Sequence, residues 1–550
     1  MKRLLLTSLV LATSLSARAE TVTRAKPSTA SVAAAADRTE WFHKARFGMF
    51  IHWGLYAIPA GGEWHMNKKK MPIDEYKKFA GQFNPTRFNA DEWASLAHDA
   101  GMKYMVLTAK HHDGFAMFQS KASDYNIADA TPFKRDPLKE LSLACPKHDV
   151  KLGTYYSILA DWGHPGGGSG GQKWDKAQEG DFDDYLDKVA VPQVRELLTN
   201  YGPIGVMWLD NDGTARATAA QVARIGEALK LQPQTLVSPR LLGYPGDFET
   251  AEGHIPILPP QKDWELCTRT NGSWGYVATP ARPLKSLLHE LIEAWGKGGN
   301  VLLNVGPDRT GIIPADSAVR LREIGAWLKV NGEAVYGSTR GPFDYLPWGW
   351  TTRKGDMLYL FVLDWPKDGT LKVPMSTPVE RAWLLADTRQ TIPAEATASA
   401  TVFKLPPVAP DANASVIAVK LKGDVPRTRS LIFNKPVTAS ENQRNAGTVV
   451  NGGAGGDWRI KSATGTIEVD MGQAQTFSVL RLTIPYTEAT KLLLEVKDGE
   501  TWKPVWSEEN PKGTTFVKTF PPVTGQLVRI SVASLKPELR IGLFELFPPL

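Results

Sequence analysis

The sequence predicts an α/β protein in which a (β/α)8-type barrel is followed by two β-sandwich domains. From about residue 41 to residue 314, short apolar runs alternate with stretches of helical periodicity, the order expected for a parallel sheet covered by helices. Roughly 270 residues is enough for such a barrel with insertions. After residue 332 the helical periodicity gives way to short β-runs separated by proline and glycine, which favours sandwiches. We therefore predict a barrel over residues 38–340, a first sandwich over 341–422 and a second over 430–550.

The first residues have the pattern of a secretory signal peptide. Lys2 and Arg3 precede a short apolar run, and a small-x-small cleavage site ends at Ala19. The apolar run is too short to cross a membrane. We expect residues 1–19 to be removed on export to the periplasm or the medium, residues 20–37 to be a linker, and the mature chain to have no membrane span.

Composition excludes several classes of protein. The net charge of +6 over 550 residues is too dilute for a nucleic-acid partner, which requires basic residues gathered on one face. Two cysteines, Cys145 and Cys267, cannot build a disulfide framework, and we expect both to be small buried side chains. Tryptophan is more frequent than tyrosine (18 against 14), and flat indole rings suit both sugar faces and ordinary cores. The oligomeric state is left open.

The predicted barrel strands and helices alternate along the chain. The strands are Phe47–His52, Tyr104–Lys110, Lys151–Ser157, Ile204–Asp210, Thr235–Ser238 and Asn300–Val305. The helices are Asp91–Ala100, Pro137–His148, Phe182–Tyr201, Ala219–Leu231 and Pro283–Trp295. Five strands end in or run into polar or aromatic groups: His52, His111, Tyr155, Asp210 and Arg240. In a (β/α)8 barrel the carboxyl ends of the strands carry the chemistry, so these side chains are candidates for one site.

The strongest single candidate is Asp210. Side chains alternate along a strand, so Trp208 and Asp210 share the inner face of the barrel while Leu209 faces the helices. A carboxylate at the mouth of a barrel can act as a nucleophile or stabilise developing positive charge. Asp212, followed by Gly213, has the pattern of a turn instead.

A second carboxylate is needed if the reaction is glycoside hydrolysis, because one group must protonate the leaving oxygen. The candidates are Glu252, Glu265 and Glu63, and the residue pattern alone does not choose among them.

His111 and His112 also raise the possibility of a metal site. The chain has neither H-E-x-x-H nor Cys-x-x-Cys to complete one, and neighbouring strand residues face opposite sides. Both imidazoles can converge only if the strand has already ended. We therefore expect no metal and no cofactor, and a pair of histidines that hydrogen-bond a polyol.

Together these segments resemble the α-L-fucosidases of glycoside hydrolase family 29, over residues 38–340. The resemblance is carried by Trp41-Phe42, Arg46 to Gly54, Glu63-Trp64, Lys110 to Phe115, Trp208-Leu209-Asp210, Trp264-Glu265, Ser273 to Tyr276 and Asn300 to Pro307. It implies retaining hydrolysis of terminal α-L-fucosides on a barrel followed by a sandwich, with a fucosylated glycan as the partner.

The resemblance also implies roles for single residues. Asp210 corresponds to the nucleophile and Glu252 to the acid/base, whose raised pKa would keep it protonated. The sugar-binding residues correspond to His52, Glu63, Trp64, His111, His112, Tyr155, Trp208, Arg240 and Trp274. Residues 430–550 resemble instead a galactose-binding-like, discoidin-type sandwich, which binds carbohydrate in some proteins and is a spacer in others.

Two other functions are compatible with parts of this pattern. A lectin-like barrel would hold fucose without cleaving it and would not need paired carboxylates. A metallohydrolase built on His111 and His112 would lose activity in the presence of a chelator.

Overall fold

The computed structural model describes residues 38–550 except 169–172, 212–216, 242, 258, 261, 398, 453–455, 486–488 and 537. The predicted signal peptide, the linker that follows it and the predicted turn at Asp212 lie outside the described residues. No helix of the described residues is long and apolar enough to cross a membrane.

Eight parallel strands form the first sheet. They are β1 (Phe47–Ile51), β2 (Tyr104–Lys110), β3 (Lys151–Ser157), β4 (Val206–Asp210), β5 (Leu236–Val237), β6 (Glu249–Glu252), β7 (Trp264–Arg269) and β8 (Asn300–Val305). The strand order is β5-β4-β3-β2-β1-β8-β7-β6, with β1 near the middle and β5 and β6 at the two edges. The predicted (β/α)8-type barrel is therefore confirmed.

The seam between β5 and β6 is the irregular part of the barrel. Among the described residues no strand pairing joins these two edges. Asp247, which precedes β6, contacts β5: its backbone N–H donates to the carbonyl of Val237, and its carboxylate accepts from the Val237 N–H. This seam lies next to the strand that carries Glu252.

Six longer helices cover the outside of the sheet or follow it. They are α1 (Ala90–Asp99), α2 (Pro137–Ala144), α3 (Val191–Asn200), α4 (Ala219–Leu229), α5 (Leu284–Gly296) and α6 (Ala315–Asn331). Short α-helical segments are His65–Lys69, Ile73–Lys77, Ile127–Ala130, Phe182–Tyr185 and Gln443–Ala446. Single 3₁₀ turns are Leu55–Ala57, Ala80–Gln82, Cys145–His148, Lys176–Gln178, Gly332–Ala334 and Gly447–Val450.

Two of the sequence predictions for the barrel were incomplete. Strands β6 and β7 were not predicted, because Glu249–Glu252 is mostly polar and Glu265 interrupts the apolar residues of β7. The single helix predicted over 182–201 is broken by a π-helical segment, Leu186–Ala190, which precedes Pro192. Proline supplies no backbone N–H for the regular helical pattern, which explains a local change of winding there.

Alternation along the strands gives the barrel two apolar layers. In β1, Met49 and Ile51 pack toward the helices, whereas Phe50 packs inside the barrel. Gly48 also faces inward, and a Cβ atom there would lie 2.5 Å from the ring of Tyr104. The aromatic ring of β2 therefore occupies the space that a side chain on β1 would need, and the barrel interior at this level is completely filled.

The remaining strands form antiparallel sheets, as the sequence predicts. The first group is β9 (Thr339–Arg340), β10 (Gly349–Lys354), β11 (Met357–Val362), β12 (Thr370–Val373), β13 (Val379–Leu384), β14 (Asp387–Thr391), β15 (Ala394–Ala396), β16 (Thr401–Lys404) and β17 (Ser415–Leu421). The second is β18 (Val437–Ala439), β19 (Trp458–Ile460), β20 (Thr464–Thr483), β21 (Ala489–Asp498), β22 (Thr501–Glu509), β23 (Thr515–Ser534), β24 (Leu539–Ile541) and β25 (Leu543–Phe547).

Each group of strands has its own apolar core, and both are joined to what precedes them. Phe361 of β11 belongs to the same apolar cluster as the outer layer of the barrel, and the indole of Trp327 on α6 donates to the carbonyl of Ala414. Farther along, the ring of Phe547 lies 5.0 Å from that of Tyr345, between centroids. The C-terminal module is thus packed on the middle sandwich.

Candidate active site

A cavity of about 620 Å³ opens at the carboxyl ends of the barrel strands, within the range of small-molecule sites. It is lined by Phe50, His52, Trp64, His111, His112, Tyr155, Trp208, Asp210, Asn211, Pro239, Arg240, Glu249, Thr250, Glu252, Cys267 and Trp274. The fold therefore brings together every site residue predicted from the sequence except Glu63. These residues come from five of the eight barrel strands and from the loops that follow them.

Asp210 is a buried polar residue of this cavity. As the strand alternation predicts, Trp208 and Asp210 line the cavity while Leu209 packs in the outer layer. The hydroxyl of Tyr155 donates to Asp210 Oδ2 at 2.7 Å. Burial and the neighbouring Asp210 raise the pKa of Tyr155, so the phenol stays protonated and keeps donating. His112 Nε2 lies 4.0 Å from the same oxygen.

One guanidinium connects the two predicted catalytic carboxylates. Arg240 Nη1 donates to Asp210 Oδ1 at 3.1 Å, and Arg240 Nη2 donates to Glu252 Oε2 at 2.7 Å. The guanidinium also lies over the indole of Trp208, 4.8 Å from the ring centroid. The planar fork of arginine is suited to holding two carboxylates in fixed positions. The side chain of Glu252 is 44% exposed, against 11% for Asp210, so Glu252 lies at the rim and Asp210 inside.

Three histidines lie on the side of the cavity formed by β1 to β3. Strand β2 ends at Lys110, so His111 and His112 both line the cavity, with ring centroids 4.3 Å apart. His112 Nδ1 lies 2.5 Å from Ser157 Oγ, and His52 Nδ1 lies 2.7 Å from Asn304 Oδ1. These contacts fix two of the three rings.

Burial keeps two of these imidazoles neutral near pH 7. It lowers the pKa of His52 to about 4, and it lowers the pKa of His111 well below the usual value with a further contribution from the neighbouring histidines. His111 Nδ1 is buried and has no hydrogen-bond partner among the described residues. A buried polar atom without a partner costs free energy, so His111 is suited to receive a hydroxyl from a ligand.

Aromatic rings cover the rest of the wall. The ring of Tyr155 stacks on His111, with 8° between their planes and 5.3 Å between centroids. Trp274 lies 5.2 Å from His52, and Trp64 lies edge-on to His112 at 5.3 Å. Flat apolar rings beside neutral hydrogen-bonding groups are suited to a small polyol that carries an apolar edge.

Glu63 and Glu265, the two rivals of Glu252, lie outside the cavity lining. Glu63 is buried behind the wall and accepts hydrogen bonds from the Gly275 N–H at 2.8 Å and from Ser273 Oγ at 3.2 Å. It therefore fixes the segment that carries Trp274. Both hydrogen bonds reach Oε2, and direct contact of Glu63 with a ligand, which the resemblance implies, stays a prediction.

Glu265 lies in the floor of the barrel, 1% exposed. It accepts hydrogen bonds from the hydroxyl of Tyr104 and from the indole N–H of Trp208, the latter at 3.0 Å. Burial raises the pKa of Glu265 to about 7, although both hydrogen bonds act to lower it. A pKa near neutrality is often taken as a sign of an acid/base catalyst. Here both carboxylate oxygens face protein donors, so the carboxylate supports Trp208 instead.

Sequence reasoning missed several residues of the site. Phe50, Thr250 and Cys267 line the cavity, and Asn304 holds His52. The two-residue alternation of β7 would have placed Cys267 on the same face as Glu265, but β7 itself was not recognised. Both cysteines are buried and free, as predicted. Among the described residues no group of three or more metal-ligating side chains is close enough to hold a metal ion.

Paired carboxylates at the mouth of a (β/α)8-type barrel, in a sugar-sized cavity with neutral imidazole and indole walls, define the class of glycoside hydrolases. The particular family follows from comparison with known proteins. The α-L-fucosidase family model matches residues 12–333, more than half of the chain. The chain therefore belongs to the α-L-fucosidase family.

Known relatives agree with this membership. Tissue α-L-fucosidase of Mus musculus is 31% identical over 389 residues, which cover 63% of this chain and 82% of that protein. The crystal structure of the α-L-fucosidase from Vibrio sp. strain EJY3 superposes with a TM-score of 0.75 at 26% identity, covering 94% of this chain and 98% of the other.

A third relative shows a reaction intermediate. A structure of a family 29 α-L-fucosidase from Bacteroides thetaiotaomicron has a TM-score of 0.64 at 29% identity and covers 70% of this chain and 96% of the other. It is described as a covalent intermediate, trapped with 2-fluoro-fucosyl fluoride in a glutamate-to-glutamine mutant. Residues 436–545 match the F5/8 type C, or discoidin, domain.

Proposed function

We propose that the protein is a retaining exo-α-L-fucosidase in which Asp210 is the nucleophile and Glu252 the acid/base. The observation that carries the proposal is the pair of carboxylates, Asp210 and Glu252, held by one guanidinium at the mouth of the cavity. Among the described residues the one other carboxylate that lines the cavity is Glu249, at the start of β6. Two carboxyl groups of a retaining glycosidase must lie close together, because one attacks while the other serves the leaving group.

In the first step, an oxygen of Asp210 forms a bond to the anomeric carbon while the bond to the glycosidic oxygen breaks. Glu252 transfers its proton to that oxygen, and the rest of the glycan leaves as an alcohol. In the second step Glu252 removes a proton from water, the hydroxide oxygen bonds to the anomeric carbon, and the ester to Asp210 breaks. Two inversions give net retention and restore both carboxyl groups.

The resting contacts give Arg240 a defined part in this cycle. Glu252 must carry a proton for the first step, whereas in the free site it is ion-paired with Arg240. Arrival of the sugar beside Trp208 places hydroxyl groups next to the guanidinium, and a shift of Arg240 toward Asp210 would release Glu252 to take up its proton. The 6-methyl group of fucose would rest on the aromatic surface near Trp274, and His52 and His111 would bond the hydroxyls.

Retention is also supported by the covalent intermediate described for the related Bacteroides enzyme. We further propose that the chain is exported, on the strength of the signal-peptide pattern that ends at Ala19. Mass spectrometry of the purified protein should then give a chain that begins at Glu20. A chain that keeps Met1 in the cell fraction would contradict this.

The proposed mechanism is tested with Asp210→Asn. The exchange keeps the shape and the contact with Tyr155 but removes the nucleophile, so turnover should fall by several orders of magnitude while the circular dichroism spectrum stays unchanged. Added azide should restore release of nitrophenol from an aryl α-L-fucoside and give the β-fucosyl azide, because azide attacks from the face that Asp210 leaves empty. An α-fucosyl azide, or near-normal activity without azide, would overturn the assignment of Asp210.

A further inference from the structure

A second depression begins where the catalytic cavity ends. In the connection between β6 and β7 the described residues contain no helix, so one flank of α5 stays uncovered. The groove between residues 253–255 and this flank has a volume of about 520 Å³. Its wall on the loop side is fixed, because Lys297 Nζ donates to the carbonyl of Pro256 at 3.0 Å and pairs with Glu293 at 2.8 Å.

Both walls of this groove are connected to residues that line the catalytic cavity, namely Glu252 on one side and Trp274 on the other. On the loop side, His254 lines the groove, and its Nδ1 lies 2.9 Å from the carbonyl oxygen of Glu252. On the opposite side, Arg282 lines the groove and donates through Nη1 to the carbonyl of Arg269 at 3.2 Å. The guanidinium of Arg269 in turn lies over Trp274, 5.1 Å from the ring centroid. The groove therefore leads away from the side of the cavity where the leaving group departs.

The side chains of the groove have the chemistry of a site for neutral sugars. Arg282 pairs with Glu290 at 2.7 Å, and Lys297 pairs with Glu293, so the charges cancel locally. Balanced charges disfavour an ionic ligand but leave hydrogen-bonding groups that can serve hydroxyls. The indole of Trp350 lines the same groove and is partly exposed. Lys297 Nζ lies over one face of this ring, 5.1 Å from its centroid, so a sugar ring would stack on the opposite face.

The groove continues beyond Trp350. A further cavity of about 390 Å³ shares Ile255, Glu293 and Trp350 with it, and extends to Tyr345 and to Arg481 of the C-terminal module. A path lined by polar and aromatic groups thus runs from the catalytic rim to the seam between the barrel and both β-domains. A single fucose with a small aglycone would leave this path empty.

We propose that this groove, lined by His254, Arg282, Glu290 and Trp350, binds the neutral sugar residues to which the terminal fucose is attached. The proposal rests on the proposed fucosidase function and adds a substrate class to it, namely neutral fucosylated oligosaccharides of at least three residues. Binding in the groove adds affinity for the part of the substrate that does not react, so longer glycans should have lower KM values than aryl fucosides.

The test compares an aryl α-L-fucoside with a neutral fucosylated tetrasaccharide. In Trp350→Ala, KM for the tetrasaccharide should rise about three- to tenfold, which is the loss expected for one stacking contact, while kcat/KM for the aryl fucoside stays within about twofold of the wild type. Trp350→Phe keeps a flat ring and should recover most of the affinity. The matched control is Trp383→Ala, because Trp383 is a partly buried residue of β13 that does not line the groove. This variant should leave KM unchanged for both substrates.

Several outcomes would overturn the proposal. One is an unchanged KM for the tetrasaccharide in Trp350→Ala. Another is a rise in KM that is equal for both substrates, and a third is the same rise for the tetrasaccharide in Trp383→Ala. If Trp350→Ala does not fold, Arg282→Met on the opposite wall makes the same comparison. Failure of the proposed function looks different, because the wild type would then release fucose from neither substrate. In that case calorimetry with the tetrasaccharide and the Asp210→Asn protein still measures binding in the groove. If Trp350→Ala does not weaken this binding, the proposed sugar site in the groove is refuted.

Discussion

Two glutamates on neighbouring strands of the barrel show how environment decides the role of a side chain. Glu252 of β6 lies at the rim, is 44% exposed and pairs with Arg240. Glu265 of β7 lies in the floor, is 1% exposed and accepts hydrogen bonds from Tyr104 and Trp208. The residue pattern alone did not choose between them, and the family resemblance favoured Glu252. Only the carboxylate at the rim lies where a leaving group could reach it, although the carboxylate in the floor has the pKa near 7.

A carboxyl group must be accessible to the substrate before its pKa can matter for catalysis. A general acid must come within hydrogen-bond reach of the leaving oxygen, and a raised pKa is useful only after that condition is met. In the floor, the raised pKa of Glu265 is the consequence of removing a carboxylate from water to hold an indole in place. In the rim, Glu252 is half-exposed and pairs with Arg240.

Among the variants that distinguish the two glutamates, Glu252→Ala should have the largest effect on turnover. Loss of the general acid should lower turnover of a fucosyl disaccharide by roughly 10²–10⁴-fold, because its leaving group needs a proton. For an aryl fucoside with a good leaving group, the rate of the fucosylation step should fall far less. Rates for both substrates as a function of pH measure this, and the basic limb of the pH–rate profile should disappear in the variant.

The comparison would break if Glu265 showed the dependence on leaving group instead. We expect Glu265→Ala to lower turnover of both substrates by similar factors, because the indole of Trp208 loses its hydrogen-bond partner and Arg240, which lies over that indole, loses its support. A larger loss on the disaccharide than on the aryl fucoside in this variant, together with uniform losses in Glu252→Ala, would exchange the two assignments.

A smaller effect is expected for the stability of Glu265→Gln. The folded-state pKa of Glu265 is raised to about 7, above that of an ordinary glutamate, so the folded protein binds more protons than the unfolded chain between about pH 4.5 and 7. Stability contributed by this group is present at low pH and is lost as the pH rises through that window. Glutamine does not titrate and can still accept from Trp208. Relative to the wild type, the variant should therefore have a higher Tm at pH 8 than at pH 5.

Thermal unfolding at the two pH values measures this difference. A variant whose Tm relative to the wild type is the same at pH 5 and pH 8 would mean that Glu265 does not change its protonation on folding. Asp210→Asn provides a control for any general effect of removing a carboxylate from the barrel.

Much of the site could be predicted from strand patterns. The runs that end at His52, Lys110, Tyr155 and Asp210 are apolar, and the polar residues that follow them meet at one edge of the sheet because parallel strands share their direction. The alternation of Trp208, Leu209 and Asp210 was also sufficient to place two side chains inside and one outside.

The other side of the cavity could not be derived in this way. Strand β6 has four residues, three of them polar, and it borders the irregular seam where no strand pairing joins the described residues. Such a strand is stabilised by pairing with its neighbour β7, which residue periodicity does not reveal. For the same reason the residue pattern could not choose among Glu252, Glu265 and Glu63, whose burial differs far more than their sequence surroundings.

By itself the sequence determined six of the eight barrel strands and the helices between them, the apolar faces of the barrel, the two buried cysteines and the set of polar groups at the strand ends. These follow from local periodicity, which acts over a few residues. Tertiary structure alone decided that Arg240 joins Asp210 to Glu252, that His111 Nδ1 lacks a partner among the described residues, that Glu63 and Glu265 support the walls, and that a groove runs along α5. Each of these depends on distances between residues far apart in the chain, and packing of the whole barrel sets those distances.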